Sequence, residues 1–480
     1  MDTQIILPTR MAEELRAHLL GDRSREQMAI VLCGVQRSET RTRLLGRHLI
    51  VMPPEAFSHQ SAVGLQLRPE VQRHILMLAA HEQLSQIDFH THPGDGPHVG
   101  FSGTDDQSER TMAAYLAERL PDTMYGSVVA NSSAITARIW NTRDGEVRPL
   151  TIAPPDFAEG MSFVGNNGHL TGMDAARFDR QIGAFGQTFQ TRMQSLQVGI
   201  VGLGGLGGIF VEELTRLGVR DWKLVDPDVV EMSNLNRLLG ATVQDVEEEH
   251  AKVDVAARNI ERIDANARVV ALRCTVFTER ALKALSSCDI LIAATDNDAS
   301  RLVVNALAAQ YLIPLVHAGV NLSVRADGRF DDISGEVAVP SFGSWCLLCG
   351  GMIDATRAAQ DLARPEERQL LRERGYLAGV AAPAVYHLNG TVASLAVAEL
   401  HNLVAPYRSL RRYLVYRELE GEMMAVNVPQ NEECLHCSPE GRLGLGDLVP
   451  MWRPNREARG QLPAAIPNAV AEVVAEVVDE

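Results

Sequence analysis

The chain has 480 residues, with 61 acidic and 45 basic side chains and a net charge of −16. This length predicts roughly two to four domains, and the acidic balance argues against a general polyanion binder, so we expect no nucleic-acid partner. The start, MDTQIILPTRMAEEL, lacks the basic and apolar character of a signal peptide, and no apolar run approaches the ~18 residues of a membrane span. We therefore expect a cytoplasmic protein without a membrane partner.

The first part of the chain alternates between helical and strand patterns. TRMAEELRAHLLGD has helical spacing, and the apolar run MAIVLCGV that follows has the length of a buried strand. RHLIVMPPEAF predicts a strand stopped by prolines, SQIDFHTHP predicts a short strand, and RPEVQRHILMLAAHEQ and SERTMAAYLAERLP predict helices. These patterns indicate a mixed α/β domain over residues 1–150. Pro, Gly and Asn in TIAPPDFAEGMSFVGNNGHL then predict a linker over residues 151–172.

A second α/β pattern begins at residue 173. MDAARFDRQIGAFGQTFQTRMQSL predicts a helix, and QVGIVGLGGLGGIFVEELTRLGV followed by DWKLVDPDVV predicts a strand, a glycine-rich turn, a helix and a strand. Alternating strands and helices continue, which predicts a Rossmann-like domain over residues 173–440. Residues 441–480 form the predicted C-terminal tail, whose last helix-like stretch, AVAEVVAEVVDE, we expect to be frayed.

The stretch HTHPGDGPHVGFSGTDD carries potential metal ligands. His90 and His92 lie one residue apart at the end of a predicted strand, so their side chains point to the same face. Together with an aspartate brought back by a turn, they would supply three ligands of a zinc ion whose fourth position is open to water. An HxH pair alone is also compatible with a solvated loop. HxHP followed by the SxxD of Ser102 and Asp105 resembles the JAMM family of zinc isopeptidases.

The JAMM resemblance implies a cytidine-deaminase-like α/β fold for the N-terminal domain and a catalytic zinc. By that resemblance His90, His92 and Asp105 bind the zinc and Ser102 stabilises the oxyanion. Asp106 stays an alternative ligand, because the loop before it is longer than the usual spacing in the family.

The same resemblance requires a glutamate that takes a proton from water. Glu26, in REQMAIVLCG just before the buried strand, has the matching position. Glu55, in MPPEAF, is a second candidate, and His98 in the loop is expected to be solvated or structural.

The glycine-rich turn contains Gly202, Gly204 and Gly207 between a predicted strand and a predicted helix. Glycine lets backbone N–H groups approach a phosphate at a helix N-terminus. Asp226 ends the next predicted strand, where an acidic side chain can bind ribose hydroxyls. These features alone favour an NAD-dependent oxidoreductase.

Further motifs change that interpretation. LVDPDVVEMSNLNRL, HAKVDVAARNI, AATDND and the upstream DRQI together resemble the ThiF/MoeB and ubiquitin-activating superfamily, whose members bind ATP and magnesium and adenylate the C-terminal glycine of a ubiquitin-fold protein. The resemblance assigns the ribose to Asp226, the phosphates to Asn236, Arg237 and Lys252, and magnesium to Asp296. It also implies that Arg180 reaches into the active site of a partner subunit, and hence a homodimer.

Four of the seven cysteines form two CxxC pairs, Cys346 with Cys349 and Cys434 with Cys437. Two such pairs complete the tetrahedron of a structural zinc site. His436, inside the second pair, is expected to be a bystander.

The other cysteines are Cys33, Cys274 and Cys288. Cys33 and Cys288 are expected in the core. Activating enzymes that form a thioester place its cysteine in a segment after the first CxxC, but the matching segment here, including Gly379 to Ala382, contains none. Cys274 is the alternative thioester residue.

The two resemblances together imply a bacterial bifunctional enzyme. One domain would cleave after the C-terminal glycine of a ubiquitin-like protein, and the other would adenylate that glycine; tethering them raises the local concentration of one product near the next site. The activated protein would pass to a conjugating enzyme or, in the alternative, to a sulfur donor that converts a sulfur-carrier protein to a thiocarboxylate. A non-catalytic scaffold is disfavoured because the polar motif residues are present.

Overall fold

The computed structural model describes residues 2–38, 41–140, 147–152, 172–325, 327–363 and 384–451. These residues form two eight-stranded sheets, one in each half of the chain, and a small two-stranded hairpin. Helices pack against both sheets, which confirms the α/β fold class. Within the described ranges, no helix combines the length and the apolar character that a bilayer crossing requires.

The N-terminal half contains the strands β1 (Asp2–Ile6), β2 (Met28–Arg37), β3 (Arg41–Val51), β4 (Phe57–Ser61), β5 (Gly64–Leu67), β6 (Ser85–Thr91), β7 (Tyr125–Ala130), β8 (Ile135–Trp140), β9 (Val147–Pro149) and β10 (Thr151–Ile152). Its helices are α1 (Thr9–Gly21), α2 (Pro69–Glu82) and α3 (Gly103–Arg119). The sheet order is β10-β1-β3-β2-β6-β7-β8-β9, and β4 pairs with β5.

Strand β2 is buried on both faces because helices cover both sides of the sheet. Ala29 and Val31 lie in the core with α1, whereas Ile30 and Leu32 lie in the core with α2 and α3. This alternation follows the two-residue period of a strand. It explains why the segment is almost continuously apolar.

The C-terminal half contains β11 (Gln197–Val201), β12 (Asp221–Val225), β13 (Arg268–Leu272), β14 (Ile290–Ala293), β15 (Leu315–Val324), β16 (Phe330–Ala338), β17 (Tyr413–Arg417) and β18 (Glu422–Ala425). Its helices are α4 (Gly172–Arg177), α5 (Asp179–Ser195), α6 (Gly205–Leu217), α7 (Val243–Glu247), α8 (Lys252–Ile263), α9 (Glu279–Ser286), α10 (Asp298–Tyr311), α11 (Ala355–Asp361) and α12 (Tyr386–Val404).

The C-terminal sheet has the order β13-β12-β11-β14-β15-β16-β17-β18. The strands from β13 to β15 are parallel, and β16 to β18 extend the sheet in antiparallel fashion. The chain moves outward from β11 to β13 and then returns to the other side of β11 with β14. Ligands of open α/β sheets bind at such a reversal, beyond the carboxyl ends of the strands.

The structure differs from the predicted linker at its first two residues and from the predicted tail at residues 441–451. Thr151–Ile152 form an edge strand that pairs with β1, and the rest of the linker up to residue 171 lies outside the described residues. Residues 441–451 pack between the two halves: Asp447 N donates to Val35 O at 2.7 Å, and the Gln310 amide donates to Gly446 O at 2.7 Å. The end of the second domain at residue 440 therefore does not mark the end of the packed chain. Residues 452–480 are not among those described.

Candidate functional sites

The glycine-rich turn between β11 and α6 depends on glycine for steric reasons. Gly202 has a φ of 92°, and a Cβ there would lie 2.4 Å from the carbonyl oxygen of Ala294. A Cβ on Gly207 would lie 2.0 Å from the carbonyl oxygen of Gly202. Among the described residues, nothing caps the first N–H groups of α6, which begins after Gly204 at the carboxyl edge of the sheet. This is the arrangement that binds phosphate.

Asp226 follows β12 at the same edge and is buried. Its carboxylate accepts hydrogen bonds from Leu203 N at 2.7 Å and from Asp228 N at 2.9 Å. Burial raises the pKa of Asp226, although these bonds and Lys252 oppose the shift. Asp226 therefore fixes the glycine-rich turn in addition to occupying the position expected for ribose binding.

Two cationic side chains follow β12 in the chain, Arg237 in the loop and Lys252 as the first residue of α8. Arg237 Nη1 donates to Ser233 O at 2.6 Å and to Asn236 Oδ1 at 3.0 Å, so Asn236 orients the guanidinium. Lys252 Nζ donates to the Asp228 carboxylate at 2.8 Å.

Asn234 is a residue that the sequence interpretation missed. It is buried, its side-chain oxygen accepts from Glu231 N, and its carbonyl accepts from Arg237 N at 2.9 Å. It fixes the short turn that presents Arg237. The sequence signal is an asparagine in the polar motif SNLNR, because asparagine side chains commonly cap nearby backbone groups.

Asp296 lies just beyond β14 and is exposed, with its carboxylate 3.3 Å from the side-chain nitrogen of Asn297. Because β11, β12 and β14 are adjacent and parallel, their carboxyl ends bring Gly202, Asp226 and Asp296 to one edge. An exposed carboxylate at that edge is a suitable oxygen ligand for magnesium.

Arg180 lies away from the glycine-rich turn of its own chain. Its side chain is fully exposed, and the neighbouring Gln181 donates to Arg216 O at the carboxyl end of α6. The turn is at the other end of α6, which at 13 residues is about 20 Å long. Within one chain, the structure therefore does not bring Arg180 to the edge of the sheet that carries the glycine-rich turn.

The four cysteines of the CxxC pairs come together. The Sγ–Sγ distances are 3.8 Å for Cys346–Cys349, Cys346–Cys434 and Cys349–Cys437. Thiolates at the Zn–S distance of a tetrahedral site, ~2.3 Å, lie about 3.8 Å from one another, so this cluster fits zinc. The ring of His436 is not part of the cluster, and its backbone N–H lies 3.5 Å from Cys434 Sγ.

A second cluster lies in the N-terminal half, where β6 ends and α3 begins. Asp105 Oδ1 is 3.5 Å from His90 Nε2, and Asp105 Oδ2 is 3.4 Å from His92 Nε2. Nitrogen and oxygen ligands of a tetrahedral zinc, at ~2.0–2.1 Å from the metal, lie about 3.4 Å apart. The buried His90 Nε2 has no hydrogen-bond partner among the described residues. The three side chains therefore fit a zinc ion.

Electrostatics within this cluster favour a charged Asp105. Burial opposes its ionisation, but the neighbouring rings of His90 and His92 hold the pKa of Asp105 well below its usual range. The adjacent Asp105 carboxylate in turn raises the pKa of His92. Asp106, the alternative ligand, instead accepts from Arg138 at 2.6 Å and is not in the cluster.

Glu26 is buried and lies 3.9 Å from His92 Nε2, whereas Glu55 is exposed in a turn and is not among the cluster residues. Burial raises the pKa of Glu26, which suits a general base. Ser102 caps α3: its hydroxyl accepts from Asp105 N at 3.2 Å, and its own N–H donates to Asp105 Oδ2 at 2.6 Å. His98 is exposed in the loop above.

The remaining cysteines differ in exposure. Cys33 and Cys288 are buried, and burial raises the pKa of both thiols well above its usual range. Cys274 is half-buried, with Thr278 Oγ1 3.3 Å from its sulfur. The segment that contains Gly379 to Ala382 lies outside the described residues.

Comparison with known proteins identifies the C-terminal half. Residues 178–438, more than half of the chain, match the ThiF family. The chain belongs to the ThiF family. This match does not extend into residues 1–150, so it gives no support to the zinc-peptidase prediction for that half.

Three relatives show how far this ThiF-family chain resembles curated proteins. It is 33% identical over 143 residues to the sulfur carrier protein ThiS adenylyltransferase of Bacillus subtilis, covering 29% of this chain and 43% of that protein. It is 30% identical over 263 residues to the sulfur carrier protein adenylyltransferase of Thermus thermophilus, covering 54% of this chain and 88% of that protein. It is 25% identical to the ubiquitin-like modifier-activating enzyme 5 of Oryza sativa, covering 51% of this chain and 56% of that protein. The chain thus spans less than two thirds of the first and third of these relatives.

Proposed function

We propose that the C-terminal half binds ATP and magnesium and adenylates the C-terminal glycine of a ubiquitin-fold carrier protein. The observation that carries this proposal is the convergence of the glycine-rich turn, Asp226 and Asp296 at one edge of the sheet. In the reaction, a carboxylate oxygen of the terminal glycine attacks the α-phosphorus. The bond between the α- and β-phosphates breaks, and pyrophosphate leaves.

The charges at this edge suit that reaction. Carboxylate and triphosphate are both anions, so bringing them together requires cations held in position. Arg237 and Lys252 supply two, and Asp296 would hold magnesium near the α-phosphate. Lys252 would exchange its contact with Asp228 for a phosphate oxygen. Arg180 of the partner subunit would complete the site in a homodimer.

Among carrier proteins, a sulfur carrier is the better supported substrate. Both relatives with at least 30% identity cited above are named as adenylyltransferases of sulfur carrier proteins. Hydrosulfide would then attack the carbonyl carbon of the adenylate, so that a C–S bond forms, the C–O bond to AMP breaks and a thiocarboxylate remains. The relative named as a ubiquitin-like modifier-activating enzyme supports the alternative, transfer to a conjugating enzyme.

Exchange of labelled pyrophosphate into ATP tests adenylation directly. We expect exchange that depends on a carrier protein ending in glycine and that is absent when the terminal glycine is deleted. Exchange without any carrier, or none with sulfur-carrier and ubiquitin-like proteins alike, would reject the proposal. Adding sulfide to the adenylate and measuring the carrier mass distinguishes thiocarboxylate formation from transfer to a protein thiol.

A second candidate function is metal-dependent hydrolysis in the N-terminal half, after the C-terminal glycine of a ubiquitin-like protein. The observation that favours it is the spacing of His90, His92 and Asp105, which fits zinc, with Glu26 beside them. Zinc bound there would supply a Lewis acid that activates water. Glu26 would accept the proton of that water, and the Ser102 hydroxyl would donate to the oxyanion.

Cleavage of a carrier protein extended beyond its terminal glycine tests this second function. We expect zinc-dependent release of the extension, lost in His90→Ala together with one equivalent of zinc. A chain that retains only the four-cysteine zinc and releases no extension would reject hydrolysis while leaving adenylation untouched.

A further inference from the structure

Asn389 is a buried polar residue beside the glycine-rich turn. It lies in α12, which packs on α6, β15 and β16, and it is 4% exposed. Val392 and Ala393, three and four residues further along, lie on the same buried face of the helix. On this face of α12, the Asn389 side chain is a polar amide, whereas the neighbouring side chains are apolar.

The contact is with the first residue of α6. A Cβ on Gly205 would lie 2.3 Å from Asn389 Nδ2 and 3.4 Å from Cγ and Cδ of Arg237. The Asn389 amide and the Arg237 side chain therefore occupy the same side of Gly205. A side chain at position 205 would meet the Asn389 amide, which would have to move away from the start of α6.

The Asn389 amide has no hydrogen-bond partner within the described ranges. Asn402 in the same helix shows the contrast: its amide donates to Arg408 O, and its side-chain oxygen accepts from Tyr407 N and Arg408 N. Although the residue is 4% exposed, its amide atoms are not among the fully enclosed side-chain atoms without a partner, so the amide is accessible to a ligand. An unpaired amide beside the free N–H groups of a helix N-terminus indicates a ligand with several acceptor oxygens.

We propose that Asn389 binds the triphosphate of ATP. This inference rests on the adenylation proposed above and adds a residue to that site. The two amide hydrogens of Asn389 donate to phosphate oxygens next to the N–H groups of α6 and the guanidinium of Arg237. Asn389 adds directional donors without adding charge, so it orients the triphosphate that Arg237 and Lys252 neutralise.

Calorimetric titration of the full chain with ATP-Mg tests the inference without a carrier protein. Asn389→Ala should weaken ATP binding about tenfold, the value of a hydrogen bond to a charged group. Asn389→Asp should weaken it further, because a carboxylate of the same size would face the triphosphate. Binding of adenosine, which has no phosphate, should not change in either variant.

Asn402→Ala is the matched control and should lower the melting temperature without changing ATP affinity. Wild-type ATP affinity in Asn389→Asp, or equal losses for ATP and adenosine in Asn389→Ala, would overturn the inference, since either outcome indicates a purely structural amide. If Arg237→Ala loses ATP binding while Asn389→Asp keeps it, the inference alone fails. A wild-type chain that binds no ATP would reject both the inference and adenylation.

Discussion

Arg43 of the N-terminal sheet donates to Asp289, at the start of β14, with an Nη2–Oδ1 distance of 2.6 Å. Arg43 Nη1 also donates to Cys288 O at 3.0 Å. Asp289 lies at the amino end of its strand, whereas the glycine-rich turn and Asp296 lie at the carboxyl ends. The N-terminal half therefore packs on the edge of the ThiF-family sheet that is remote from the nucleotide.

Because of this placement, removal of the Arg43 side chain should lower the stability of the fold without changing ATP binding. Arg43→Ala leaves Asp289 without its most buried partner, so we expect the free energy of unfolding to fall by about 3 kcal/mol. ATP affinity, measured by calorimetry, should stay unchanged. Arg268→Ala removes the exposed partner of Asp221 and should cost less than about 1 kcal/mol. A parallel loss of ATP affinity in Arg43→Ala would show that the two edges are coupled.

The position of Arg180 makes a complementation experiment possible. Arg180→Ala and Asp296→Ala should each abolish pyrophosphate exchange. If Arg180 acts on the partner's site, mixing the two variants should restore about a quarter of wild-type exchange, because half of the dimers are mixed and each has one intact site. No recovery after subunit exchange, or full activity of Arg180→Ala, would contradict action across the dimer.

The roles of Glu26 and Glu55 in the N-terminal half can be separated by zinc content and hydrolysis. Glu26→Gln should retain the zinc at His90, His92 and Asp105 but reduce cleavage by ~10²–10⁴-fold, the usual effect of losing a general base. Glu55→Gln is the control and should have wild-type cleavage. An active Glu26→Gln enzyme with an inactive Glu55→Gln enzyme would transfer the role of base to Glu55.

Thioester formation provides another prediction. Cys33 and Cys288 are buried, with thiols that stay protonated, and four further cysteines cluster together. With ATP, magnesium and carrier protein, we expect an adenylate but no adduct that a reducing agent removes on a denaturing gel. Such an adduct, lost in Cys274→Ala, would identify Cys274 as a thioester-forming residue.

The buried carboxylate of Glu82 predicts a dependence of stability on pH. Glu82 accepts from Arg47 at 2.6 Å and contacts His48 at 3.2 Å. Burial opposes its ionisation, but these hydrogen bonds lower the pKa of Glu82 from 4.5 to about 2. Because the folded-state pKa is the lower one, this carboxylate stabilises the fold above pH 4.5, and its contribution disappears as the pH falls towards 2.

Unfolding free energies from urea titrations at several pH values measure this effect. Glu82→Gln should lower stability by about 3 kcal/mol at neutral pH, and the difference from wild type should shrink between pH 4.5 and 2. Glu118→Gln, at an exposed position of α3, should follow the wild-type profile. A constant difference between Glu82→Gln and wild type would contradict the assignment.

The sequence alone determined the features that depend on near neighbours in the chain. Gly202, Gly204 and Gly207 predicted the turn and its adjoining strand and helix because steric demands on a tight turn are local. His90 and His92 could be placed on one face because a strand has a two-residue period. The CxxC spacings predicted their cluster because only two residues separate each pair of ligands.

The tertiary structure decided which distant residues meet. It placed Asp105 rather than Asp106 beside the histidines because the Ser102 cap fixes the first turn of α3. It placed Glu26 rather than Glu55 beside them because β2 pairs with β6. Asn389 lies 184 residues from Gly205 in the chain and has no motif of its own. Its contact with the glycine-rich turn exists only because α12 packs on α6, and a pattern of local spacings contains no information about such packing.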